Sequence, residues 1–307
     1  MVQENSLKNK IIIICGPTAS GKSALAIECA KILKTEIISA DSMYVYKDLN
    51  IGTAKPDLAE MDGITHHMID VVSPFDNFSV SDYKRQAEPI VQSLINQGKI
   101  PIICGGTGFY INSLLYDLSY GKGEANIEIR EKYKKLAEEF GNQYVYNVLC
   151  ELDPESAKKL HYNDLVRVIR ALEIFHSGQK KSDIVDSMVA KYDYDAYMIA
   201  HDRQTLYDRI NKRVDVMIEK GLIDEVSKLI SSGINGSNQC MQAIGYKEIY
   251  EYLNGQVDLQ TAIDNIKLNS RHYAKRQITF FKKYDCKLLQ PNDVKIMAKR
   301  ITEGLKA

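Results

Sequence analysis

Ile11-Ile12-Ile13-Ile14-Cys15-Gly16-Pro17-Thr18-Ala19-Ser20-Gly21-Lys22-Ser23 is an apolar run that breaks into a glycine-framed loop. Residues 16–23 fit G-x-x-x-x-G-K-[ST], and they do so where that pattern needs to be, after a β-branched strand and before a helix. Leu25, Ala26, Cys29, Ile32 and Leu33 follow at helical spacing. The glycines let the backbone curl so that its N–H groups point inward, the helix start adds partial positive charge, and Lys22 adds a full one. The Ser23 hydroxyl is a candidate ligand for Mg²⁺. Gly16, Pro17, Thr18, Ala19, Ser20, Gly21, Lys22 and Ser23 are therefore the candidate cradle for a diphosphate or nucleotide. A phosphate cradle does not by itself say whether the chemistry is phosphoryl transfer, hydrolysis or expulsion of diphosphate.

Outward from this loop the apolar runs continue in an α/β rhythm. Glu36–Ala40, Met68–Val72 and 101–104 read as further buried parallel strands. A helix from about Ser79 carries Val80, Tyr83, Ala87, Val91 and Leu94 on one face, and Pro89 is expected to kink it. From about 121 to 186 the pattern turns wholly helical, through Ile127–Phe140, Tyr144–Leu149, 154–160 and Asp164–His176. Ala196–Ala200 then reads as a strand returning to the sheet, followed by helix to Tyr284 and a short tail at 287–290. The expected fold is α/β, a P-loop NTPase-like parallel sheet flanked by helices with an inserted all-helical lobe. The core would take residues 1–120 and 187–307, the insert 121–186, with a cleft between them.

The chain has 307 residues, 40 Lys plus Arg against 40 Asp plus Glu, 45% hydrophobic and 26% charged residues. These values exclude bulk disorder and a wholly cationic nucleic-acid coat, though a clustered basic face remains compatible with zero net charge. Residues 1–10 are polar and the apolar run after them is too short for a signal peptide or a membrane span, so a cytoplasmic protein with no membrane partner is expected. The six cysteines, at 15, 29, 104, 150, 240 and 286, lack zinc spacing and read mostly as reduced, buried fillers. The His66-His67 pair lacks further ligands at suitable spacing and reads as packing and hydrogen bonding.

Asp41 follows EIISA and should stand at the carboxyl end of a central strand beside the loop, where open α/β sheets bind ligands. It could hold Mg²⁺ through water, accept a proton from a nucleophile, or simply cap the turn with Ser42. Gly105-Gly106-Thr107-Gly108 brings another hydroxyl and more N–H groups to the same edge, though such a sequence is more often only a turn. Between Asp264 and Asp285, Lys267, Arg271, Lys275, Arg276, Lys282 and Lys283 interleave with His272, Tyr273, Phe280 and Phe281 without an intervening acid. That pattern suits an RNA-tracking surface, and equally a helix that packs Ile266, Tyr273, Ile278 and Phe281 while its cations are solvated.

GPTASGKS (16–23), ISADSMYVYKDLNIGTAKP (38–56), HHMIDVVSP (66–74), PIICGGTGFYINSLL (101–115), HYNDLVRVIRALEI (161–174), CMQAIGYKEI (240–249) and AKRQITFFKK (274–283) together resemble the bacterial tRNA dimethylallyltransferases, the tRNA isopentenyltransferase family. Leu165 stands where many of that family have proline. The resemblance implies transfer of a dimethylallyl group from dimethylallyl diphosphate to N6 of the adenosine 3′ of the anticodon, position 37. It implies Asp41 as the base, and Lys22 and Thr18 as catalytic partners in the cradle. It further implies Mg²⁺ as cofactor and the tRNA anticodon stem-loop as partner. The RNA contacts it carries over are Asp41, Ser42, Met43, Tyr44, Thr107, Arg130, Val166, Arg167, Val168, Ile169, Arg170, Gln242, Gly245 and Lys247. A monomer with no obligate protein partner is expected. The alternatives are an adenylate isopentenyltransferase, which a helical insert disfavours because a free nucleotide needs no such span, and a P-loop small-molecule kinase.

Overall fold

Ile11, Ile12, Ile13 and Ile14 have no solvent exposure, and a strand buried on both faces belongs in the middle of a parallel sheet. In the computed structural model, which describes residues 9–119, 126–184 and 187–305, that is where they lie. The strands are β1 (Lys10–Cys15), β2 (Ile37–Ser39), β3 (His66–His67), β4 (Ile102–Gly105), β5 (Tyr116–Asp117), β6 (Ser187–Ala190), β7 (Asp193–Ile199) and β8 (Cys286–Leu289). Six of them form one parallel sheet in the order β3-β2-β4-β1-β7-β8, and β5 and β6 form a separate two-stranded one. Ile14 pairs with Cys104 and with Tyr197, so the strands that flank β1 end level with it.

The helices are α1 (Lys22–Leu33), α2 (Leu58–Met61), α3 (Val80–Asn96), α4 (Gly108–Leu115), α5 (Ile127–Phe140), α6 (Asn142–Leu152), α7 (Pro154–Ala157) and α8 (Leu165–His176). They continue with α9 (Arg203–Glu219), α10 (Leu222–Ser231), α11 (Tyr246–Leu253), α12 (Leu259–Phe281) and α13 (Val294–Glu303). The chain divides into two compact units, Met1–Leu115 with Ala190–Ala307, and Tyr116–Val189. The second is built on α5 to α8, whose Tyr133, Val145, Leu149, Val168 and Leu172 form its core. Leu165 is the first residue of α8, a position whose N–H has no partner within the helix and where proline fits as well. Among the described residues no helix is long and apolar enough to cross a membrane.

Three expectations need correction. Residues 68–72 are not a sheet strand, because the ladder with β2 ends at His67 and both Met68 and Asp70 turn to positive φ. The chain there pairs with the loop after Asp41: Asp70 N–H donates to Tyr44 O, and the Val71 and Val72 N–H groups donate to Val45 O. The stretch after Tyr284 is not a tail either. Cys286–Leu289 adds the last strand beside β7, and α13, capped by Asp293, lays Met297, Ala298 and Ile301 into one core with Leu25, Ala26 and Cys29 of α1. Ile32, read as part of the buried face of α1, is exposed. Pro89 lies inside α3, which runs on through it to Asn96.

His66 and His67 are hydrogen-bonded as read: His66 Nδ1 to Ile64 O, and His67 Nε2 to Glu36, which also pairs with Lys99. Ile301 is fully buried against α1, so Ile301→Ala should lower stability by about 2–5 kcal/mol without altering ligand binding, measured by urea unfolding and by diphosphate titration.

Candidate active site

The loop after β1 has the backbone that its glycines permit. Gly16 lies at φ 125°, where a Cβ would come within 2.9 Å of Met198 Cγ, and Gly21 caps α1 in the left-handed region at φ 92°. Ala19 is also left-handed, at φ 60°. Lys22 Nζ folds back to donate to Pro17 O at 3.3 Å. Burial pushes its ammonium below the usual lysine range, while Asp41 is among the groups that pull it back up. Arg209 of α9 donates from Nε to Ala19 O at 2.8 Å, and Arg213, one turn on, donates to Thr53 O at 2.7 Å.

Asp41 follows β2 at the same edge of the sheet. Ala40 N–H donates to Cys104 O, Thr107 N–H donates to Ala40 O, and Thr107 Oγ1 accepts from Ser42 N–H at 3.0 Å. This close approach needs glycine at 105, where a Cβ would lie 2.1 Å from Ala40 O. Asp41 does cap its turn, Oδ1 accepting from Met43 N–H at 3.0 Å, but Oδ2 accepts no hydrogen bond among the described residues. The capping and functional readings are compatible, since the turn orients the carboxylate and leaves one oxygen free. Tyr273 of α12 is pushed up to about 12 by burial, and the Asp41 charge adds to the shift.

Glu225 of α10 organises the segment after Tyr44. Its carboxylate accepts from the N–H groups of Asn50, Ile51 and Gly52 and from the buried Tyr246 hydroxyl. A Cβ at Gly52 would fall 2.5 Å from Tyr246 Cε2, so the NIGT turn closes only with glycine there. The Tyr44 hydroxyl donates to Ala54 O at 2.8 Å, and burial raises its pKa.

These groups border one cavity of about 890 Å³, lined wholly by residues of the first unit. Thr18, Ala19, Gly21, Lys22 and Ser23 meet it from the loop, Asp41, Ser42, Met43 and Tyr44 from the stretch after β2, and Gln242 from the segment before α11. Ile210, Val214 and Met217 of α9 and Ile266 of α12 give it an apolar wall. Gly16, Pro17 and Ser20 of the loop are buried away from it, and Thr107 does not line it but accepts from the N–H of Ser42, which does.

The remaining candidates divide. In the second unit Val166 and Arg167 are exposed, Arg167 pairing with Asp164 at 3.3 Å. The side chains of Val168 and Ile169 belong to that unit's core, because consecutive helical residues point to different sides and one side is packed. Arg130 and Arg170 both pair with the buried Glu173. Gly245 is buried at φ 98° as the cap of α11, a conformational role, whereas Lys247 is exposed. The basic helix has a packed face and an exposed basic one. Ile266 and Phe281 are buried, Lys267 pairs with Asp215 and Arg271 with Asn211, while His272, Lys275, Arg276 and Lys283 line a shallow depression of about 490 Å³.

Sequence reasoning missed Arg209, Arg213, Glu225 and Gln277. The two arginines are four apart on one helix face, a signal that was present. Glu225 and Gln277 carried none, since the backbone groups each one holds lie more than 150 residues away in the chain.

A family profile described as IPP transferase matches residues 44–284, starting just after Asp41. A tRNA dimethylallyltransferase of Caldanaerobacter subterraneus subsp. tengcongensis is 50% identical over 282 residues, 90% of each chain. The crystal structure of the tRNA isopentenylpyrophosphate transferase from Bacillus halodurans is similar with a TM-score of 0.73 at 39% identity, over 97% of both chains. A eukaryotic dimethylallyltransferase captured acting on tRNA is similar with a TM-score of 0.78 at 29% identity, over 96% of this chain and 77% of that one.

The Glu225 cluster is open to a direct check. Glu225→Gln keeps the shape but puts a donor where donors converge, so it should cost about 1–3 kcal/mol. It should also speed amide exchange at Asn50, Ile51 and Gly52 selectively, as read by hydrogen–deuterium exchange.

Proposed function

The chain belongs to the IPP transferase family, and on that premise we propose that it moves the dimethylallyl group of dimethylallyl diphosphate to N6 of the adenosine 3′ of the anticodon, tRNA position 37. It is a prenyl-transferring enzyme. One observation carries the finer reading: the phosphate loop and the carboxylate of Asp41 border the same cavity, and an apolar wall borders it too.

The parts match what this reaction demands. The lone pair of an adenine amine is delocalised into the ring, so N6 attacks only if its proton can leave as the new bond forms. Asp41 accepts that proton, N6 bonds to the allylic carbon, and the electron pair of the breaking C–O bond departs with the diphosphate. Charge grows on the diphosphate as the carbon becomes cation-like. Lys22, the N–H groups of the loop and the start of α1 oppose it where it develops, with the Thr18 side chain alongside. Ile210, Val214, Met217 and Ile266 offer the prenyl tail a wall that keeps water from the electrophile.

A divalent ion fits the donor set. The Ser23 hydroxyl and the diphosphate oxygens are hard ligands of the kind Mg²⁺ prefers, and among the described residues no cluster of three or more His, Cys, Asp or Glu competes as an all-protein cage. Mg²⁺ held by Ser23, diphosphate and water would offset the charge of the leaving group.

The adenine must leave its stack to meet Asp41. Ser42, Met43, Tyr44, Thr107, Gln242 and Lys247, with Val166 and Arg167 of the helical unit, are the proposed RNA contacts. Arg130 and Arg170 would act from their hold on Glu173.

The test is incubation with Mg²⁺, dimethylallyl diphosphate and an unmodified tRNA bearing adenosine at position 37, with AMP as a parallel acceptor, followed by nucleoside mass spectrometry. Prenylated adenosine from the tRNA alone is expected; product from AMP would overturn the acceptor. Asp41→Ala should cut single-turnover transfer at least about a hundred-fold while RNA affinity stays within a few-fold. Lys22→Ala should raise the KM for the prenyl donor far more than that for RNA, in steady-state kinetics.

A further inference from the structure

Gln277 of α12 is 5% exposed and sits between the two glycine-rich turns of the site. Its Oε1 accepts from the backbone N–H of Thr18, inside the phosphate loop, at 2.9 Å. Its Nε2 donates to the carbonyl of Gly106, in the turn after β4, at 3.0 Å. A primary amide is the neutral side-chain group that offers an acceptor and a donor at this reach, and here both are spent on backbone. Both bonds are made to residues 171 or more positions away in the chain.

The neighbouring turn is shaped around this amide. A Cβ at Gly106 would fall 2.0 Å from Gln277 Nε2 and 3.3 Å from Gly16 O, and one at Gly108 would fall 2.0 Å from Phe280 Cε1. Gln277 and Phe280 are three apart and so share a face of α12, with Tyr273 one turn earlier. One face of α12 therefore grips the 105–108 turn, and Gln277 extends the grip to the phosphate loop. That loop must keep its N–H groups converged on an anion without sheet bonds of its own, and Ala19 holds a left-handed conformation within it.

We propose that Gln277 is a positioning residue of the diphosphate site: by holding Thr18 N–H and Gly106 C=O together, it sets the shape of the phosphate loop that receives the diphosphate of the donor. The inference rests on the reading of residues 16–23 as the diphosphate cradle. It assigns Gly106 a matching role, as the space in which the amide lies. Removing the amide should loosen diphosphate binding far more than RNA binding, because of the RNA contacts proposed above only Thr107 lies in the turn it holds, and the Thr107 hydroxyl has its own bond to Ser42 N–H.

The experiment titrates inorganic diphosphate with Mg²⁺ into the full chain by calorimetry, for wild type, Gln277→Ala, Gln277→Glu, Gly106→Ala and the double variant Gly106→Ala/Gln277→Ala. RNA affinity is measured by filter binding and melting temperature on the same samples. Gln277→Ala and Gly106→Ala should each weaken diphosphate binding about tenfold or more, with RNA affinity within about twofold. The double variant should be no weaker than the weaker single one, since the methyl group at 106 then occupies the space the amide has left. Gln277→Glu preserves packing but loses the bond to Gly106 O and adds charge near the anion, so it should bind diphosphate at least as poorly as Gln277→Ala; it decides the matter if the alanine variant does not fold. Wild-type diphosphate affinity in Gln277→Ala, additive losses in the double variant, or parallel loss of diphosphate, RNA affinity and melting temperature would each overturn the proposal. Absence of diphosphate binding in wild type would overturn it together with the cradle. If wild type binds diphosphate in this Gln277-dependent way yet transfers no prenyl group to tRNA, the proposed reaction fails and the role of Gln277 stands.

Discussion

The site depends on the closeness with which the ends of β1, β2 and β4 approach one another. Ser39 pairs with Cys104 and Ile14 with Cys104, so these parallel strands stop at one level, and their last carbonyls and N–H groups must be satisfied by the turns that leave them. Ala40 meets that demand with Cys104 and Thr107, at a separation that leaves no room for a side chain at 105. Asp41 and the phosphate loop inherit their positions from this edge. Neither could shift by a residue without moving the ladder, since a one-residue slip in a strand turns every side chain to the other face.

Around that edge the other helices act as braces on turns. Glu225 and Tyr246 hold the 50–52 turn, α12 holds the 105–108 turn, and Arg209 holds the phosphate loop at Ala19. In each case the partner of a polar side chain is backbone, so a fixed main-chain shape is what is being stabilised. This suits a reaction in which the protein supplies one base and a preorganised anion site, because donors already in place need no reorganisation as charge develops. The stretch 44–56 is held at two places: residues 44–47 bond to 70–72, and 50–52 bond to Glu225.

α12 joins two roles in one element. Its inner face packs Ala274 and Phe281 and presents Gln277 and Tyr273 to the cavity, while His272, Lys275, Arg276 and Lys283 line a basic depression. A packed face and a charged face coexist on this one helix, which is why composition alone left the packing and RNA-surface readings balanced.

What the sequence determined by itself was local: the phosphate loop, because its glycines, lysine and serine are contiguous; the strands of continuous isoleucine, because burial on both faces leaves a run no other pattern matches; and the limits of Ile127–Phe140, because its period is helical throughout. The position of Asp41 at a strand end was legible for the same reason. Tertiary structure alone decided the rest. Whether Met68–Val72 would pair in the sheet depended on a loop about 25 residues earlier, Val168 and Ile169 were claimed by the packing of neighbouring helices, and Cys286–Leu289 became a strand because β7 offered an open edge. Glu225 and Gln277 are polar residues on helices whose sequence surroundings say nothing of their use. Their function resides in backbone groups brought to them by the fold, and hydrogen bonds across such separations leave no periodicity in the chain to be read.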